Sequence, residues 1–390
     1  MSTTENTIAA SPTGTVTDRP LVSVVIPCLN EAENIESCVT AALAALKAMG
    51  VSGEVVVADN DSEDDSARLA EQAGAHVIVE RRRGYGSAYL AGFAASTGRY
   101  IVMADADLTY DFNDIPRFVA ALEEGAEMVI GDRMDNIRPG AMPWLHRYVG
   151  NPLLSGLLNL FFRTGIKDAH CGMRALRRDV LPRLDLRTTG MEFASEMVIR
   201  ASKENLKIAE FPIEYHPRGG ESKLSSFRDG WRHLRFLLVH SPNHLFIWPG
   251  AGLAGVGTLI VVVAGAGLDV GRDWGIHTLI GGALLMIVGT QVLALGLCAH
   301  AFGTYFMGEK DPWFDRMRAR FRLEHGLALG GAFALAGIVM GAVVLITWIS
   351  HGFGSLSDER LALVAASLII VGIQIFFSSF LLSILGLRRR

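Results

Sequence analysis

Asp105 and Asp107 stand one residue apart just after the apolar run 100–103, and this pair is the clearest chemical signal in the chain. The run is continuous and partly β-branched, which is typical of a buried strand in a parallel sheet. Side chains that follow such a strand lie at the carboxyl edge of the sheet, where open α/β folds bind ligands. Two carboxylates at this spacing suit a divalent cation shared with a phosphate, since Mg²⁺ is usually held by one or two carboxylates and substrate oxygens. An ordinary polar turn is the alternative for an isolated pair.

Strands and helices alternate over the first hundred residues, and this alternation predicts an α/β layer with a mainly parallel sheet. The predicted strands are 21–26, 53–58, 76–79 and 100–103. No G-x-G-x-x-G motif follows the first strand, which disfavours a dinucleotide site. The loops after these strands should meet at one edge of the sheet, and they comprise 27–31, 59–62, 81–86 and 105–111. The loop 81–86 combines arginines with glycines, which suits either a diphosphate contact or a solvated basic turn.

The second part of the chain is much more apolar than the first. The 390 residues carry a net charge of −4, half of them are hydrophobic, and the mean hydropathy is +0.31. Four stretches contain no Asp, Glu, Lys or Arg, namely 247–268, 275–306, 327–349 and 361–387. Each exceeds the roughly 20 residues that cross a hydrocarbon core, so the sequence predicts four transmembrane helices.

The loop between the second and third predicted spans is rich in basic residues, and the chain ends in three arginines. The cations of the loop are Lys310, Arg316, Arg318, Arg320 and Arg322. The positive-inside rule therefore puts this loop, the C-terminus and the α/β domain on the cytoplasmic side of the cell membrane. The predicted organisation is a disordered tail 1–20, an α/β catalytic domain 21–226, a juxtamembrane amphipathic segment 227–246 and an all-α four-span domain 247–390. The tail has no apolar region of the signal-peptide type.

Several motifs carry a resemblance to a known family. In chain order, V-V-I-P-C-L-N-E-A-E-N-I, V-V-V-A-D-N-D-S, D-A-D-L and G-D-R resemble the family 2 glycosyltransferases, which have the Rossmann-like GT-A fold. Further along, D-A-H-C-G-M-R-A-L-R-R, G-M-E-F-A-S-E and R-G-G-E-S-K-L-S resemble the polyprenyl-phosphate (dolichyl-phosphate) mannose and glucose synthases. The resemblance covers about 21–238. It implies inverting, metal-dependent transfer of a hexose from a nucleotide-diphosphate sugar to polyprenyl phosphate on the cytoplasmic face, with UDP-glucose favoured and GDP-mannose next.

The same resemblance implies the roles of individual residues. Donor binding would involve Pro27, Asn30, Glu31, Asp59, Asp61, Arg83, Gly84, Asp105 and Ala106. Asp105 and Asp107 would hold Mg²⁺ or Mn²⁺, and together with Arg133 they would be the catalytic residues. The phosphate groups of donor and acceptor would be bound by Arg133, Arg147, Arg218, Ser222 and Lys223. Thr109 stands where many of these synthases have a glutamine ligand, so the third metal ligand stays open between Thr109, Asp111 and water.

The chemistry of a lipid-phosphate acceptor agrees with these residue types. Departure of a diphosphate requires a divalent cation and nearby Arg or Lys side chains to neutralise the developing charge. A lipid monophosphate is already anionic near neutral pH, so the site needs no strong general base. It must instead hold two phosphate-bearing ligands together, and arginine can do so bidentately.

Two other features leave alternatives open. The segment 144–162, rich in Leu, Phe and Trp with Arg147 and Arg163 at its margins, predicts either an interfacial helix or a core helix, and 227–240 is a second candidate at the bilayer surface. Glu192 and Glu196 share one face of a predicted helix. One of them could orient an acceptor-binding arginine such as Arg174, or they could form a simple surface ion pair.

Two rival functions remain at the level of sequence. A processive polysaccharide synthase would have a Q-x-x-R-W segment, and the chain contains none. A non-enzymatic lipid-binding membrane protein with a degenerate transferase domain is disfavoured by the intact aspartate pair. The expected partners are a nucleotide sugar, polyprenyl phosphate and the lipid bilayer, with no nucleic acid. Gly252, Gly255, Gly281 and Gly282 would permit a homo-oligomer through the spans without requiring one.

Overall fold

The computed structural model describes residues 19–219, 226–267, 275–306, 311–353 and 359–387, with side chains from Gly230 onward in the helix that begins at Ser226. Two of the expected phosphate-binding residues, Ser222 and Lys223, lie outside the described residues, as does most of the tail predicted to be disordered. The chain divides into two compact units after Leu237.

The first unit is built on a seven-stranded sheet with strand order β3-β2-β1-β4-β6-β5-β7. The strands are β1 (Val22–Cys28), β2 (Gly53–Asp59), β3 (His76–Val79), β4 (Tyr100–Met103), β5 (Met128–Asp132), β6 (Arg174–Arg177) and β7 (Ile208–Pro212). All neighbouring strands are parallel except that β6 runs antiparallel to β4 and β5. The prediction of a mainly parallel sheet is confirmed, while the reversed β6 was not foreseen.

The first strand is longer than predicted. Its predicted end was residue 26, but β1 continues through Pro27 to Cys28, in register with Ala58 and Asp59 of β2. The following helix begins at Ile35 and does not include Asn30. Asn30 has φ +52°. This left-handed conformation, which asparagine tolerates better than most residues, is incompatible with an α-helix.

The helices of the first unit alternate with its strands along the chain and pack on the sheet. They are α1 (Ile35–Ala48), α2 (Ser66–Gln72), α3 (Tyr85–Ala95), α4 (Ile115–Glu123), α5 (Asn151–Phe162), α6 (Leu181–Leu184), α7 (Phe193–Lys203) and α8 (Ser226–Val239). The central strands β1 and β4 are buried along nearly their whole length. Burial on both faces explains their continuous apolar sequences, which is the pattern of a parallel sheet covered by helices.

The second unit contains long apolar helices. They are α9 (Trp248–Gly265), α10 (Ile276–Phe306), α12 (Leu323–Ser350) and α13 (Glu359–Gly386), with the short α11 (Pro312–Arg320) between α10 and α12. Four helices of the described ranges are long and apolar enough to cross a bilayer, and the first includes a preceding turn from Asn243. The expectation of a multi-pass membrane protein is thereby confirmed.

Glycines bring these helices close together within one chain. A Cβ on Gly257 of α9 would lie 2.2 Å from the backbone nitrogen of Met286 on α10, and one on Gly372 of α13 would lie 2.5 Å from that of Ala334 on α12. Such close approach of backbones is how small residues promote helix packing in membranes. By contrast, a Cβ on Gly252 would meet nothing within 4 Å. The packing of small residues therefore serves the fold of the single chain, and oligomerisation stays an open expectation.

Candidate active site

Polar side chains meet at the carboxyl edge of the sheet, as the order of the strands requires. Asp59 is the last residue of β2, which pairs with β1, and β1 pairs in turn with β4. Asp105 and Asp107 follow β4 at the same edge. Parallel strands end on the same side, so residues distant in sequence become neighbours there.

Two tyrosines of α3 hold the carboxylate of Asp105. The hydroxyl of Tyr85 donates to Oδ1 at 3.1 Å, and that of Tyr89 reaches the same oxygen at 3.4 Å. The other oxygen of the carboxylate lies against Gly172, where an added Cβ would stand 2.4 Å from it, so a larger residue there would displace the carboxylate. Burial and then the neighbouring charge of Asp107 raise the pKa of Asp105 to about 7. A bound cation would favour the ionised form of this carboxylate.

Asp107 is buried and accepts two hydrogen bonds from Thr109. The backbone nitrogen and the hydroxyl of Thr109 donate to Oδ1 at 3.2 and 2.6 Å. Asp111 instead uses its Oδ1 to accept from the backbone and side-chain amides of Asn113, both at 2.9 Å. Within the described ranges no group of three or more His, Cys, Asp or Glu could hold a metal. The donor set therefore fits a cation that takes only two carboxylates from the protein and its other ligands from a diphosphate and water.

The segment 216–219, which follows β7, lies over this aspartate pair. The backbone nitrogens of His216 and Gly219 donate to the carbonyl oxygens of Thr109 and Asp107, each at 3.0 Å. Arg218 places its Nη1 3.4 Å from Oδ2 of Asp107. The guanidinium thus faces the carboxylate of Asp107.

Glu31 and Asn34 also form hydrogen bonds to this segment. Oε1 of Glu31 accepts from Nη2 of Arg218 at 2.6 Å, and Nδ2 of Asn34 donates to the carbonyl oxygen of Gly219 at 2.9 Å. The resemblance had implied a place for Glu31 beside the nucleotide base. The structure brings it together with a cation 187 residues further along the chain. Asn34 was not singled out from the sequence, where a polar residue just before a helix carries no signal of such a contact.

Arg133 forms a buried ion pair with Asp168. Its Nε and Nη2 donate to the two carboxylate oxygens at 2.7 and 2.9 Å, and both side chains are almost fully buried. Its Nη1 lies 3.5 Å from the hydroxyl of Tyr110, and the guanidinium stacks over the ring of Tyr215 at 5.0 Å. Arg133 and Arg218 both favour the ionised form of Asp105 and so lower its pKa against the effect of burial.

Arg174, at the start of β6, is the largest fully buried side chain among the described residues, and its contacts differ from those of the acceptor-binding arginine that the sequence suggested. Each of its three side-chain nitrogens donates to a backbone carbonyl oxygen, with Nε to Cys171 at 2.8 Å, Nη1 to Ala194 at 2.9 Å and Nη2 to Ala169 at 2.8 Å. Two of these carbonyls belong to the loop 168–172, which carries the partner of Arg133 and the glycine beside Asp105. These bonds give Arg174 a positioning role for the loop.

We expect Arg174→Lys to lower the free energy of unfolding by at least about 2 kcal/mol, because one ammonium cannot reach three divergent carbonyls and would leave buried acceptors unpaired. Thermal unfolding of the full chain in detergent would measure the loss. Arg177→Lys on the same strand is the matched control, since Arg177 is part-exposed and pairs with Asp179. The control should change stability by less than about 0.5 kcal/mol. Equal stability of the two variants would contradict the positioning role of Arg174.

For Glu196, both alternatives of the prediction were wrong. Glu196 is buried on α7 and accepts from the backbone nitrogens of Arg187 and Thr188, and from the hydroxyl of Thr188. Glu196 therefore stabilises a turn of the backbone by hydrogen bonds, and it neither orients Arg174 nor forms a surface ion pair. A buried carboxylate satisfied by backbone donors cannot be recognised from helical spacing alone.

The other residues predicted to bind the nucleotide-sugar donor lie in the loops around Asp59. Asp59 is buried, and its Oδ1 has no hydrogen-bond partner among the described residues. The neighbouring Asn60, which was not singled out, accepts from the backbone nitrogen of Gly84 at 2.6 Å and so joins two loops of the edge. Gly84 has φ +149°, and a Cβ there would lie 2.1 Å from a carbonyl oxygen of residue 189. Arg83 is exposed and forms ion pairs with Asp61 and Glu63.

Three expected site residues have simpler surroundings. Pro27 lies within β1, and Ala106 is buried between the two aspartates. Arg147 stacks on the ring of Tyr148 at 5.3 Å and makes no contact with the aspartate pair among the described residues. It lies instead in the turn that precedes α5.

The segment around α5 exposes an apolar surface on the first unit. Ser155 and Leu158 of α5 are buried against the core, while large side chains on the other side are exposed. The exposed members are Trp144, Leu145, Tyr148, Val149, Leu153 and Leu160. One side of the helix thus packs as a core helix does, and the other has the composition of an interfacial helix.

A mainly parallel α/β sheet with a D-x-D motif at its carboxyl edge, joined to apolar spans, defines a membrane glycosyltransferase of the GT-A type. Residues 23–184 match the glycosyl transferase family 2 model, and residues 297–386 match the glycosyltransferase family 2 C-terminal transmembrane region. The chain belongs to glycosyltransferase family 2, and the expectations of fold and of enzyme class are confirmed.

Curated relatives are similar to the chain over 45% to 94% of its length. The low-salt glycan biosynthesis hexosyltransferase Agl6 of Haloferax volcanii is 44% identical over 94% of this chain and 89% of the relative. The undecaprenyl-phosphate 4-deoxy-4-formamido-L-arabinose transferase of Enterobacter sp. is 30% identical over 73% of this chain and 89% of the relative. The dolichyl-phosphate hexose transferase of Haloferax volcanii is 36% identical over 45% of this chain and 76% of the relative.

Proposed function

We propose that the protein transfers a hexose from a nucleotide-diphosphate sugar to polyprenyl or dolichyl phosphate, with inversion and with a divalent cation. The observation that carries the proposal is the convergence of two carboxylates and two guanidinium groups at one sheet edge, where Arg133 and Arg218 both act on Asp105. This arrangement suits two phosphate-bearing ligands that meet at one carbon. The names of two relatives point to polyprenyl or dolichyl phosphate as the acceptor class.

The described residues account for the steps of such a transfer. An oxygen of the acceptor phosphate would form a bond to the anomeric carbon while the bond from that carbon to the donor diphosphate breaks. Because the acceptor phosphate is already ionised, no residue has to remove a proton. Mg²⁺ or Mn²⁺ held by Asp105 and Asp107 would neutralise the charge of the departing diphosphate. Arg218, held by Glu31, would add a second positive charge to the same group.

The donor side would lie along the loops after β1, β2 and β3. We assign the base and nucleoside to Pro27, Asn30 and Asp59, since the buried Oδ1 of Asp59 still lacks a hydrogen-bond donor among the described residues. UDP-glucose remains the favoured donor and GDP-mannose the next. Membranes containing the full chain, assayed with radiolabelled UDP-glucose, GDP-mannose and related sugars plus polyprenyl phosphate, would test this assignment. Transfer of a single sugar to lipid is the expected result, whereas no transfer from any donor or a polymeric product would contradict it.

We propose that the first unit works at the cytoplasmic face, with the apolar surface around α5 in contact with the bilayer. The proposed domains are 21–226 for catalysis, 227–246 for the juxtamembrane segment and 247–390 for the spans. The loop around Arg318 and the C-terminus would also be cytoplasmic, by the positive-inside rule.

This orientation can be measured with single cysteines in intact cells. We expect an impermeant maleimide to label Ser355→Cys, in the loop between α12 and α13, and to leave Arg318→Cys unlabelled until the cells are opened. The parent chain is the control for Cys298, the one native cysteine that is not buried. Labelling at 318 without labelling at 355 would reverse the orientation.

A further inference from the structure

The short helix α11 has little freedom in where it can lie. It begins at Pro312 and ends at Arg320, while α10 ends at Phe306 and α12 begins at Leu323. Both of these neighbours are long and apolar enough to span a bilayer. Nine helical residues extend about 14 Å, and the connections on either side are short. A helix that joins the ends of two spans in this way must lie at the level of the lipid headgroups.

Buried contacts fix α11 to the end of α10. Asp311 accepts from the backbone nitrogen of Phe314 at 3.0 Å and also pairs with His300 of α10. Phe314 is buried and contacts His300 and Tyr305, with ring centroids 6.1 and 6.0 Å apart. One side of α11 is thus anchored in the membrane unit, and the orientation of its other side is determined.

A set of exposed residues on α11 and directly after it combines cations with large apolar side chains. We name it the α11 surface, and it comprises Trp313, Arg316, Arg318, Arg320, Phe321 and Arg322. All six residues are exposed, Phe321 by 67%. Arg318 donates to the hydroxyl of Tyr305 at 2.9 Å. Neither Arg320 nor Arg322 forms an ion pair within the described part of the chain, although Asp315 and Glu324 are near in sequence.

We propose that the α11 surface binds the headgroups of anionic phospholipids. Guanidinium groups bind phosphate bidentately, and clusters of four or more basic residues beside a span are attracted to anionic lipids. Aromatic side chains at the same level anchor in the interface between hydrocarbon and water. Charge complementarity thus favours an anionic phospholipid over a zwitterionic one.

The test uses the purified full chain in phosphatidylcholine nanodiscs with spin-labelled lipids. Electron paramagnetic resonance would give the association constant of labelled phosphatidylglycerol relative to labelled phosphatidylcholine. We expect the native chain to prefer phosphatidylglycerol. Arg320→Gln should reduce this preference by about fivefold, which corresponds to the ~1 kcal/mol that one arginine gains at an anionic surface. The double variant with Arg322→Gln should reduce it further, and high salt should weaken the native preference.

Arg360→Gln is the matched control. Arg360 is an exposed arginine near the start of α13, whose other end contacts Tyr305 close to α11, so Arg360 lies at the opposite end of the spans. An unchanged preference in Arg360→Gln together with a reduced one in Arg320→Gln would support the proposal. The proposal fails if the two variants behave alike. It also fails if added polyprenyl phosphate displaces the label at equimolar amounts, because the surface would then belong to the acceptor.

Discussion

Replacement of Asp107 with alanine is expected to lower the rate of sugar transfer at least about 100-fold, the usual consequence of losing a group that stabilises developing charge. The carboxylate holds the hydroxyl of Thr109 at 2.6 Å and faces Arg218 at 3.4 Å. Its loss would therefore remove a metal ligand and leave the guanidinium without one of its two partners. Radiolabelled transfer to polyprenyl phosphate would measure the rate, and electron paramagnetic resonance of Mn²⁺ would measure binding of the metal without turnover.

Asp111→Asn is the control for this experiment. It removes one negative charge from the same loop but keeps the oxygen that accepts from Asn113. We expect its activity and its Mn²⁺ affinity to stay near those of the native chain. If Asp111→Asn lost metal as Asp107→Ala does, Asp111 would be the third ligand. If Asp107→Ala or the EDTA-treated native chain kept near-normal activity, the metal would have no place in the mechanism.

The second large effect is expected on stability. Asp168→Ala would leave Arg133 as an unpaired charge in a buried environment, since Asp168 is fully buried and holds the guanidinium at 2.7 and 2.9 Å. Breaking a buried pair in this way costs about 3–5 kcal/mol. For a unit of this size that loss lowers Tm by roughly 10 °C. Fluorescence-detected thermal unfolding of the full chain in detergent would measure it.

A part-exposed ion pair provides the control for this loss of stability. Asp179→Ala removes the partner of Arg177 in a part-exposed pair and should cost no more than about 1 kcal/mol. Arg133→Met combined with Asp168→Ala should regain part of the lost stability, because no unpaired charge is left. The double variant should remain inactive if Arg133 binds phosphate. Activity that returns together with stability would restrict Arg133 to a structural role.

The amino-acid sequence by itself determined the local elements and their polarity. Continuous apolar runs identified β1, β2 and β4, because strands covered on both faces need apolar residues at every position. The same logic located the four spans, since length and absence of charge decide whether a helix can cross a bilayer. The D-x-D pair could be placed at the carboxyl edge because strand direction follows from alternation with helices. The short β6, with arginines at both ends, offered no such pattern.

Only the tertiary structure decided which distant residues meet at the site. Arg218 lies between Glu31 and Asp107, and Arg133 is held by Asp168, although each pair is far apart in sequence. These contacts depend on the order of strands and on the paths of loops, which periodicity does not encode. The buried Arg174 follows the same rule, because its carbonyl partners exist only once β6 has inserted between β4 and β5. A residue type indicates the chemistry it can do, whereas packing selects its partner.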